Sequence, residues 1–272
     1  MKMPTLLATL ALVAGGLPLA APAQNAAPKS AAESIAEYRA LLADGNPSEL
    51  FEAKGEDLWK QKRGPRNASL ERCDLGQGPG TVKGAFVHLP RYFADTGRVQ
   101  DMESRLLTCM ATLQGFDAAL IARTPFGQGE QKNLESLVAW ISAESRGMRL
   151  DVPQERPEER RMYEMGKRIF FLRAGPHDFA CASCHGADGK RIRLQDLPNL
   201  TKNPGAGEGF GSWPAYRVSS GELWGMQRRL NDCFRQQRFP YPTYASDVTI
   251  ALGVFMGVNG KGTPTTAPAI KR

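Results

Sequence analysis

Apolar residues recur at helical spacing along much of the chain and predict a mainly α protein. The stretch 48–62 begins at Ser48, a favourable N-cap residue, and places Phe51 and Leu58 on one helical face. Five further stretches have the same period: 99–121, 130–145, 158–172, 221–235 and 245–256. Between them lie loops rich in glycine and proline, such as 202–213, which we expect to have no regular structure.

The first 23 residues have the pattern of a secretory signal peptide. Lys2 precedes an apolar run over 6–19, and the run Ala21-Pro22-Ala23 offers small residues to a signal peptidase. A membrane anchor is the alternative, but the apolar run is short for a membrane span and is broken by glycine and proline. We therefore expect residues 1–23 to be removed and the mature protein to be periplasmic, with no membrane span.

The mature chain repeats itself at fixed offsets. The matched positions of the first and second copies are Gly55 and Gly166, Cys73 and Cys184, Pro90 and Pro214, Arg105 and Arg229, and Cys109 and Cys233. A self-match at several offsets indicates two copies of one helical domain. We assign the copies to residues 24–150 and 161–272, joined by a charged linker with two prolines at 151–160.

The second copy contains Cys181-Ala182-Ser183-Cys184-His185, the attachment motif of c-type haem. Two thiols three residues apart can bond both vinyl groups of one porphyrin, and the histidine that follows can bind the iron. A redox dithiol and half of a zinc site are the alternatives. The zinc site lacks a second ligand pair, and the dithiol lacks the strand and parallel sheet expected around it. One motif predicts one haem c, in the second of two tandem cytochrome c-like domains.

The first copy has lost the residues that attach haem. Leu70 and Asp74 stand at the positions of the first cysteine and the histidine of the motif. We therefore expect a first domain without haem. By analogy with the second copy, Cys73 and Cys109 converge on the same central position, and in an exported protein we expect them to form a disulfide. Two buried free thiols are the alternative.

The iron needs a further ligand opposite His185, or an open position. The candidates are Met226, Met256, His88, His177 and Cys233. Cys233 is left over once the other cysteines are assigned, and four arginines lie near it in the sequence: Arg228, Arg229, Arg235 and Arg238. Positive charge favours the thiolate, which is the better nucleophile and the better metal ligand. A buried cysteine on a solvated basic helix is the alternative.

The net charge of the chain indicates which kinds of molecule it could bind. There are 35 lysines and arginines against 28 aspartates and glutamates, which gives a formal net charge of +7. No basic block alternates with stacking aromatic residues, so we expect no nucleic-acid partner. A small anion or an acidic protein fits this modest basic excess.

The mature chain resembles the SoxA family of the bacterial thiosulfate-oxidising Sox system. The resemblance is carried by the duplication, the motif at 181–185, and the segment Arg228-Arg229-Leu230-Asn231-Asp232-Cys233-Phe234 with the Phe239-Pro240-Tyr241 that follows. It implies a periplasmic subunit that pairs with SoxX, a small c-type cytochrome. It also implies L-cysteine S-thiosulfotransferase activity, in which thiosulfate is joined oxidatively to a cysteine of the carrier SoxYZ and two electrons leave through haem.

The resemblance also implies roles for single residues. His185 and Cys233 would be the axial ligands of the iron. Cys233, which the family carries as a persulfide, would be the catalytic residue, and Arg229 would bind the substrate. The family has members with one and with two haems in this subunit, and the residues at 70 and 74 place this chain with the one-haem members. The alternative is a plain electron-transfer cytochrome in which His185 and Met256 bind the iron and Cys233 is structural.

Overall fold

A computed structural model describes residues 45–192 and 195–271, together with residues 29–30, 33–34, 37–38 and 40–41. The predicted signal peptide at 1–23 lies outside these residues. No helix in the described part of the chain is long and apolar enough to cross a membrane.

The first half is largely helical, with one small hairpin. Its elements are α1 (Ser48–Lys60), a 3₁₀ turn (Phe86–His88), β1 (Arg91–Phe93), β2 (Arg98–Gln100), α2 (Met102–Cys109), a π-helical turn (Met110–Gln114), α3 (Ala118–Arg123) and α4 (Gly129–Ala143). The single helix predicted over 99–121 is therefore wrong. Its first residues pair with β1 in an antiparallel hairpin, Asp101 caps a helix that starts later, and Gly115, with φ of 80°, ends the helical turns.

The second half repeats the main elements of the first: a long helix, a hairpin, a helix that follows the hairpin and a last long helix, together with further elements. Its elements are α5 (Pro157–Phe171), α6 (Cys181–His185), β3 (Arg191–Ile192), β4 (Gln195–Asp196), α7 (Gly205–Gly211), β5 (Ala215–Arg217), β6 (Glu222–Trp224), α8 (Met226–Gln236), α9 (Asp247–Asn259) and β7 (Ala269–Lys271). β5 pairs antiparallel with β6 and parallel with β7. The helix predicted over 221–235 therefore begins as a strand, since its first residues complete the hairpin.

Two predicted irregular segments contain helix. α7 lies inside the expected loop 202–213, because the missing side chain of Gly207 lets this helix pack directly on Thr263. Such tertiary packing outweighs the low helix propensity of glycine. α5 begins at Pro157, inside the predicted linker 151–160. Proline suits the first position of a helix, and the carboxylate of Glu159 accepts the N–H of Arg156 at 3.0 Å.

Each half is built on a close crossing of its first and last long helices. α1 crosses α4 at Gly55, where a Cβ atom would overlap the carbonyl O of Ser136. α5 crosses α9 at Gly166, where a Cβ atom would overlap the carbonyl O of Ala251. Both crossings require glycine because the backbones touch.

The same aromatic contact follows each crossing glycine by one turn. The ring centres of Trp59 and Trp140 lie 5.6 Å apart in the first half, and those of Phe170 and Phe255 lie 4.9 Å apart in the second. Phe170 follows Gly166 at the same spacing as Trp59 follows Gly55, so the two aromatic contacts occupy equivalent positions of the repeat.

A disulfide closes the centre of the first half. The Sγ atoms of Cys73 and Cys109 lie 1.99 Å apart and the Cα atoms 5.6 Å apart. Both residues are buried, and the side chain of Leu70 beside them is fully buried as well. The thiols of this half are therefore consumed in a covalent bond inside an apolar core.

Candidate functional site

The motif of the second half forms one helical turn, α6. Cys181 and Cys184 lie three residues apart on this turn, so their side chains leave the same face of the helix. The N–H of Ala180 donates to Oγ of Ser183 at 3.0 Å and holds the start of the turn. Both cysteines have free thiols, so the pair can form two thioether bonds.

The imidazole of His185 is oriented by the loop that follows the motif. Its Nδ1 lies 2.9 Å from the carbonyl O of Pro198, and the N–H of Leu200 donates to the carbonyl O of His185 at 2.9 Å. Burial lowers the pKa of His185, and the charge of Arg229 lowers this pKa further. A neutral ring that donates from Nδ1 keeps the lone pair of Nε2 for a metal ion.

The third thiol of this half comes from α8. Cys233 is partly exposed. Desolvation raises the pKa of its thiol, whereas the guanidinium groups of Arg229 and Arg217 lower that pKa. The charge of Cys184 raises the pKa of Cys233. Burial, followed by the charge of Cys233, raises the pKa of Cys181 to about 12. These mutual influences place the thiol of α8 close to the two motif thiols.

Arg229 lies one helical turn before Cys233 and on the same side of α8. Its Nη1 atom is 3.0 Å from Oδ2 of Asp232, and its side chain is 26% exposed. The guanidinium carbon lies 5.8 Å from the ring centre of Trp213. The guanidinium is therefore open to solvent and near both the thiol and the imidazole, whose pKa values it lowers.

The counterpart of Arg229 in the first half is fully engaged. The Nη1 atom of Arg105 lies 2.8 Å from the carboxylate of Asp95, and its guanidinium carbon lies 4.0 Å from the ring centre of Phe93. In the second half Ser219 takes the position of Asp95 and carries no charge. Arg229 therefore lacks the carboxylate that neutralises its counterpart.

The structure adds Arg217, which the sequence analysis did not single out. Its Nε atom is buried without a hydrogen-bond partner among the described residues, and its guanidinium carbon lies 5.1 Å from the ring centre of Trp224. Its charge lowers the pKa of Cys233. Alignment of the two copies could have identified this residue, because the equivalent position of the first half is Phe93. A cation thus replaces an aromatic ring in the half that carries the motif.

Arg228 and Arg235 of the predicted cationic cluster are engaged in ion pairs, as Arg229 is with Asp232. Arg228 pairs with Glu222, and its Nη1 lies 3.4 Å from the buried carboxylate of Glu135. Arg235 lies 2.7 Å from Asp232 and is 59% exposed. The expectation that the positive charge of these arginines favours the thiolate of Cys233 is therefore not met: carboxylates compensate Arg228 and Arg235, and burial raises the pKa of the thiol.

The other proposed iron ligands lie in different surroundings. Met256 is buried in the core on α9, and Met226 lines a small cavity between the two halves. The Nδ1 atom of His88 lies 3.3 Å from a backbone carbonyl oxygen, and His177 is exposed. The charge interactions of Cys233 with Cys181 and Cys184 favour Cys233 over these four as the further iron ligand.

The set of donor groups fits a covalently attached haem. Two free thiols and an imidazole share one helical turn, a third thiol approaches from α8, and Arg217 leaves a buried N–H donor unused beside them. In the described part of the chain, no three His, Cys, Asp or Glu side chains form a group that could hold a bare metal ion. The zinc alternative required such a group.

Comparison with known proteins places the chain in a family. A family model described as SoxA/TsdA, cytochrome c domain, matches residues 54–150. The chain is 57% identical over 240 residues to the L-cysteine S-thiosulfotransferase subunit SoxA of Hydrogenophilus thermoluteolus, with 88% of each protein covered. The chain belongs to the SoxA family. A SoxA subunit of Hydrogenobacter thermophilus is 32% identical over 262 residues, with 95% of each protein covered.

A solved structure shares the fold of this SoxA chain. The crystal structure of SoxXA from P. pantotrophus matches with a TM-score of 0.72 and 25% identity, and the match covers 87% of this chain and 84% of that one. The cytochrome c family model falls on the half of the SoxA chain that lacks the haem motif and contains the disulfide. The SoxA chain is thus a largely helical protein with a cytochrome c domain.

Proposed function

We propose that the chain is the SoxA subunit of an L-cysteine S-thiosulfotransferase. The terminal sulfur of thiosulfate forms an S–S bond with the thiol sulfur of a carrier cysteine, and the reaction releases one proton and two electrons. The observation that carries the proposal is the convergence of Arg229 and Cys233 on the haem motif, in a chain that is 57% identical to a SoxA subunit.

Four residues of the second half would hold one haem c. Cys181 and Cys184 attach it through thioethers, and His185 offers Nε2 to the iron from a ring fixed by the Pro198 carbonyl. Cys233 would supply a further sulfur ligand to the iron. When bound, haem c accepts electrons and passes them on.

The first half would be a second cytochrome c-like domain that binds no haem. Three observations support this assignment: the repeated helix crossings, the disulfide between Cys73 and Cys109 at the centre, and the match of residues 54–150 to a cytochrome c domain. The domains then span 24–150 and 161–272. The segment between them is irregular only up to the start of α5 at Pro157.

Two arginines would bind the thiosulfate dianion. Arg229 has a partly exposed guanidinium fork whose geometry suits the oxygen atoms of a small oxyanion. Arg217 offers its unused, buried Nε–H from the neighbouring strand β5. Together they hold the dianion beside Cys233, whose sulfur is the seat of the chemistry.

The partners would follow from the family. A SoxX-type small cytochrome would form a heterodimer with this chain, and the similar crystal structure from P. pantotrophus is one of SoxXA. A SoxYZ-type carrier would supply the acceptor cysteine, and the complex would work in the periplasm after removal of residues 1–23.

The substitution Cys233→Met tests this function. Methionine offers iron a neutral sulfur of similar reach, so we expect a rise in haem reduction potential and a changed low-spin spectrum. Conjugation is lost, because a thioether cannot exchange sulfur. The measurement is the intact mass of the carrier after incubation with thiosulfate, the partner cytochrome and the holoprotein.

Met256→Leu is the matched control for this test. It should leave both spectrum and conjugation unchanged. Full conjugation by the Cys233→Met protein would contradict the proposal. Loss of the native spectrum in the Met256→Leu protein would instead favour electron transfer through a haem bound by His185 and Met256.

A further inference from the structure

The helix that carries Arg229 and Cys233 has no N-cap side chain of its own. α8 starts after Gly225, which has φ of −74° and ψ of 172°, the extended conformation typical of an N-cap. At the matching position of α2, the carboxylate of Asp101 accepts the N–H of Ser104 at 2.8 Å. The second half has lost this local cap, and the first N–H groups of α8 need another acceptor.

A carboxylate from the first half provides that acceptor. Oε1 of Glu103 accepts the backbone N–H of Gln227 at 3.0 Å, and Glu103 is only 3% exposed. A Cβ atom on Gly225 would overlap this same oxygen. The carboxylate of Glu103 therefore occupies the space in which an N-cap side chain of α8 would lie.

Neighbouring groups fix the Glu103 carboxylate in this position. The hydroxyl of Tyr244 donates to its Oε2 at 2.6 Å. Nε2 of Gln227 donates in return to Oδ2 of Asp101, the cap of α2, at 2.6 Å, and the N–H of Ala245 donates to Oε1 of Gln227 at 3.1 Å. Glu103 and Gln227 hold equivalent places in the repeat, so each half reaches across to the helix start of the other.

We propose that Glu103 is a positioning residue of the thiosulfate site, acting from the first half as the N-cap of α8. A side-chain oxygen at the N-cap satisfies an N–H group that has no partner inside the helix. Arg229 belongs to the first turn of α8, where its N–H donates to the carbonyl O of Gly225 at 3.1 Å. Fixing this turn fixes the guanidinium and, one turn later, Cys233. The assignment rests on the proposed function only for the roles of these two residues.

The test compares Glu103→Ala with the native holoprotein. Hydrogen–deuterium exchange of the first-turn amides of α8, residues 226–229, should become about tenfold faster, since N-cap loss in proteins has effects of this order. The electron paramagnetic resonance spectrum of the haem should gain a second low-spin species, because Cys233 is held less firmly. The kcat/KM for thiosulfate should fall about tenfold, mainly through KM.

A second substitution can show whether the effects of Glu103→Ala come from the lost helix cap or from an overall loss of stability. Removal of the Glu103 side chain leaves room for a Cβ at Gly225, so Glu103→Ala combined with Gly225→Asp rebuilds the local cap seen at Asp101. We expect exchange, spectrum and KM to return toward native values. Gly225→Asp alone should be harmful, because its side chain meets the native carboxylate of Glu103.

Glu159→Ala is the matched control. Glu159 is another buried carboxylate that accepts two backbone N–H groups, from Tyr92 and Arg156, both at 3.0 Å. It should lower overall stability and leave α8 exchange, the haem spectrum and KM unchanged. Native exchange of residues 226–229 in folded Glu103→Ala would overturn the proposal, as would a failed rescue. If the native protein conjugates no thiosulfate, exchange and spectrum still decide the role of Glu103.

Discussion

Single arginine side chains near Cys233 differ in which charges compensate them. Arg228 and Arg235 are compensated by carboxylates, whereas Arg217 has a buried donor with no partner in the described part of the chain. The sequence could nominate cations close to Cys233 along α8. It could not reveal that Arg228 was already paired, because its partners Glu222 and Glu135 lie on other elements. The partner of Arg235, Asp232, lies three residues earlier on the same helix.

Arg229→Lys keeps the positive charge and loses the planar fork. A hydrogen bond to a charged group contributes about 1.5–3 kcal/mol, so kcat/KM for thiosulfate should fall about ten- to a hundredfold. Steady-state rates at low thiosulfate measure this loss. Arg235→Lys, a change at an exposed and paired residue of the same helix, is the control and should leave the rate unchanged. Equal rates for the Arg229→Lys and native proteins would assign anion binding to another residue.

Arg217→Phe places at this position the residue that the first half carries at Phe93. The substitution should be compatible with folding, because the equivalent strand β1 accommodates a phenylalanine. It removes a donor to the dianion, and we expect KM for thiosulfate to rise about tenfold. Initial rates over a range of thiosulfate concentrations check this. A native KM would exclude Arg217 from the binding site.

At the scale of whole elements, the two glycine crossings determine how each half closes. α5 leads directly toward the motif helix α6, and its contact with α9 has backbone against backbone at Gly166. The position of this crossing therefore determines where the motif helix α6 begins.

Gly166→Ala should separate α5 from α9. The added Cβ would overlap the carbonyl O of Ala251. Because both atoms belong to helix backbones, the overlap can be relieved only if one of the two helices shifts as a whole. Overpacking of this kind costs about 1–3 kcal/mol, which urea unfolding followed by circular dichroism can measure. Gly253→Ala is the control on α9. Its Cβ would meet Pro90 at an ordinary 3.5 Å, so this variant should be neutral or slightly stabilising. Equal destabilisation of both variants would show that the crossing has no special role.

The helices that could be predicted from the sequence are those whose bounds follow from the helical spacing of apolar residues alone. The stretches 48–62, 130–145 and 158–172 correspond closely to α1, α4 and α5. Prediction failed at 99–121 because a hairpin uses residues with helical spacing, and at 202–213 because glycines there serve close packing. Neither the pairing of strands distant along the chain nor a backbone contact leaves a periodic signal in the local sequence.

At the scale of the molecule, buried carboxyl groups lie where the two halves meet. Burial raises the pKa of Glu103 to about 8, with a further increase from Asp101 and Glu135 and a decrease from its hydrogen bonds with Tyr244 and Gln227. Burial also raises the pKa of Glu135 to about 7, and the nearby Arg228 opposes that rise. These shifts predict that the contact between the halves depends on pH.

Stability should fall as the pH rises through this range. Glu103 and Glu135 bind a proton more tightly in the folded protein than in the unfolded chain, so folding is favoured at low pH. Between about pH 5 and pH 8 the free energy of unfolding should decrease by up to about 1.4 kcal/mol per pH unit for each group. Urea unfolding of the holoprotein at several pH values measures the slope. Glu103→Gln keeps the shape without the charge and should reduce this slope; an unaltered slope would contradict the assignment.

The disulfide of the first half joins the first two cysteines of the chain, Cys73 and Cys109. If the protein is exported from its N-terminus, as proposed above, both would reach the oxidising compartment before Cys181, Cys184 and Cys233 follow. An oxidant that pairs cysteines in their order of arrival would then make the native bond, and neither Cys73 nor Cys109 would be left to form a wrong bond with a late thiol. Chain order would in this way keep the first two cysteines apart from the three thiols proposed for haem attachment and sulfur chemistry.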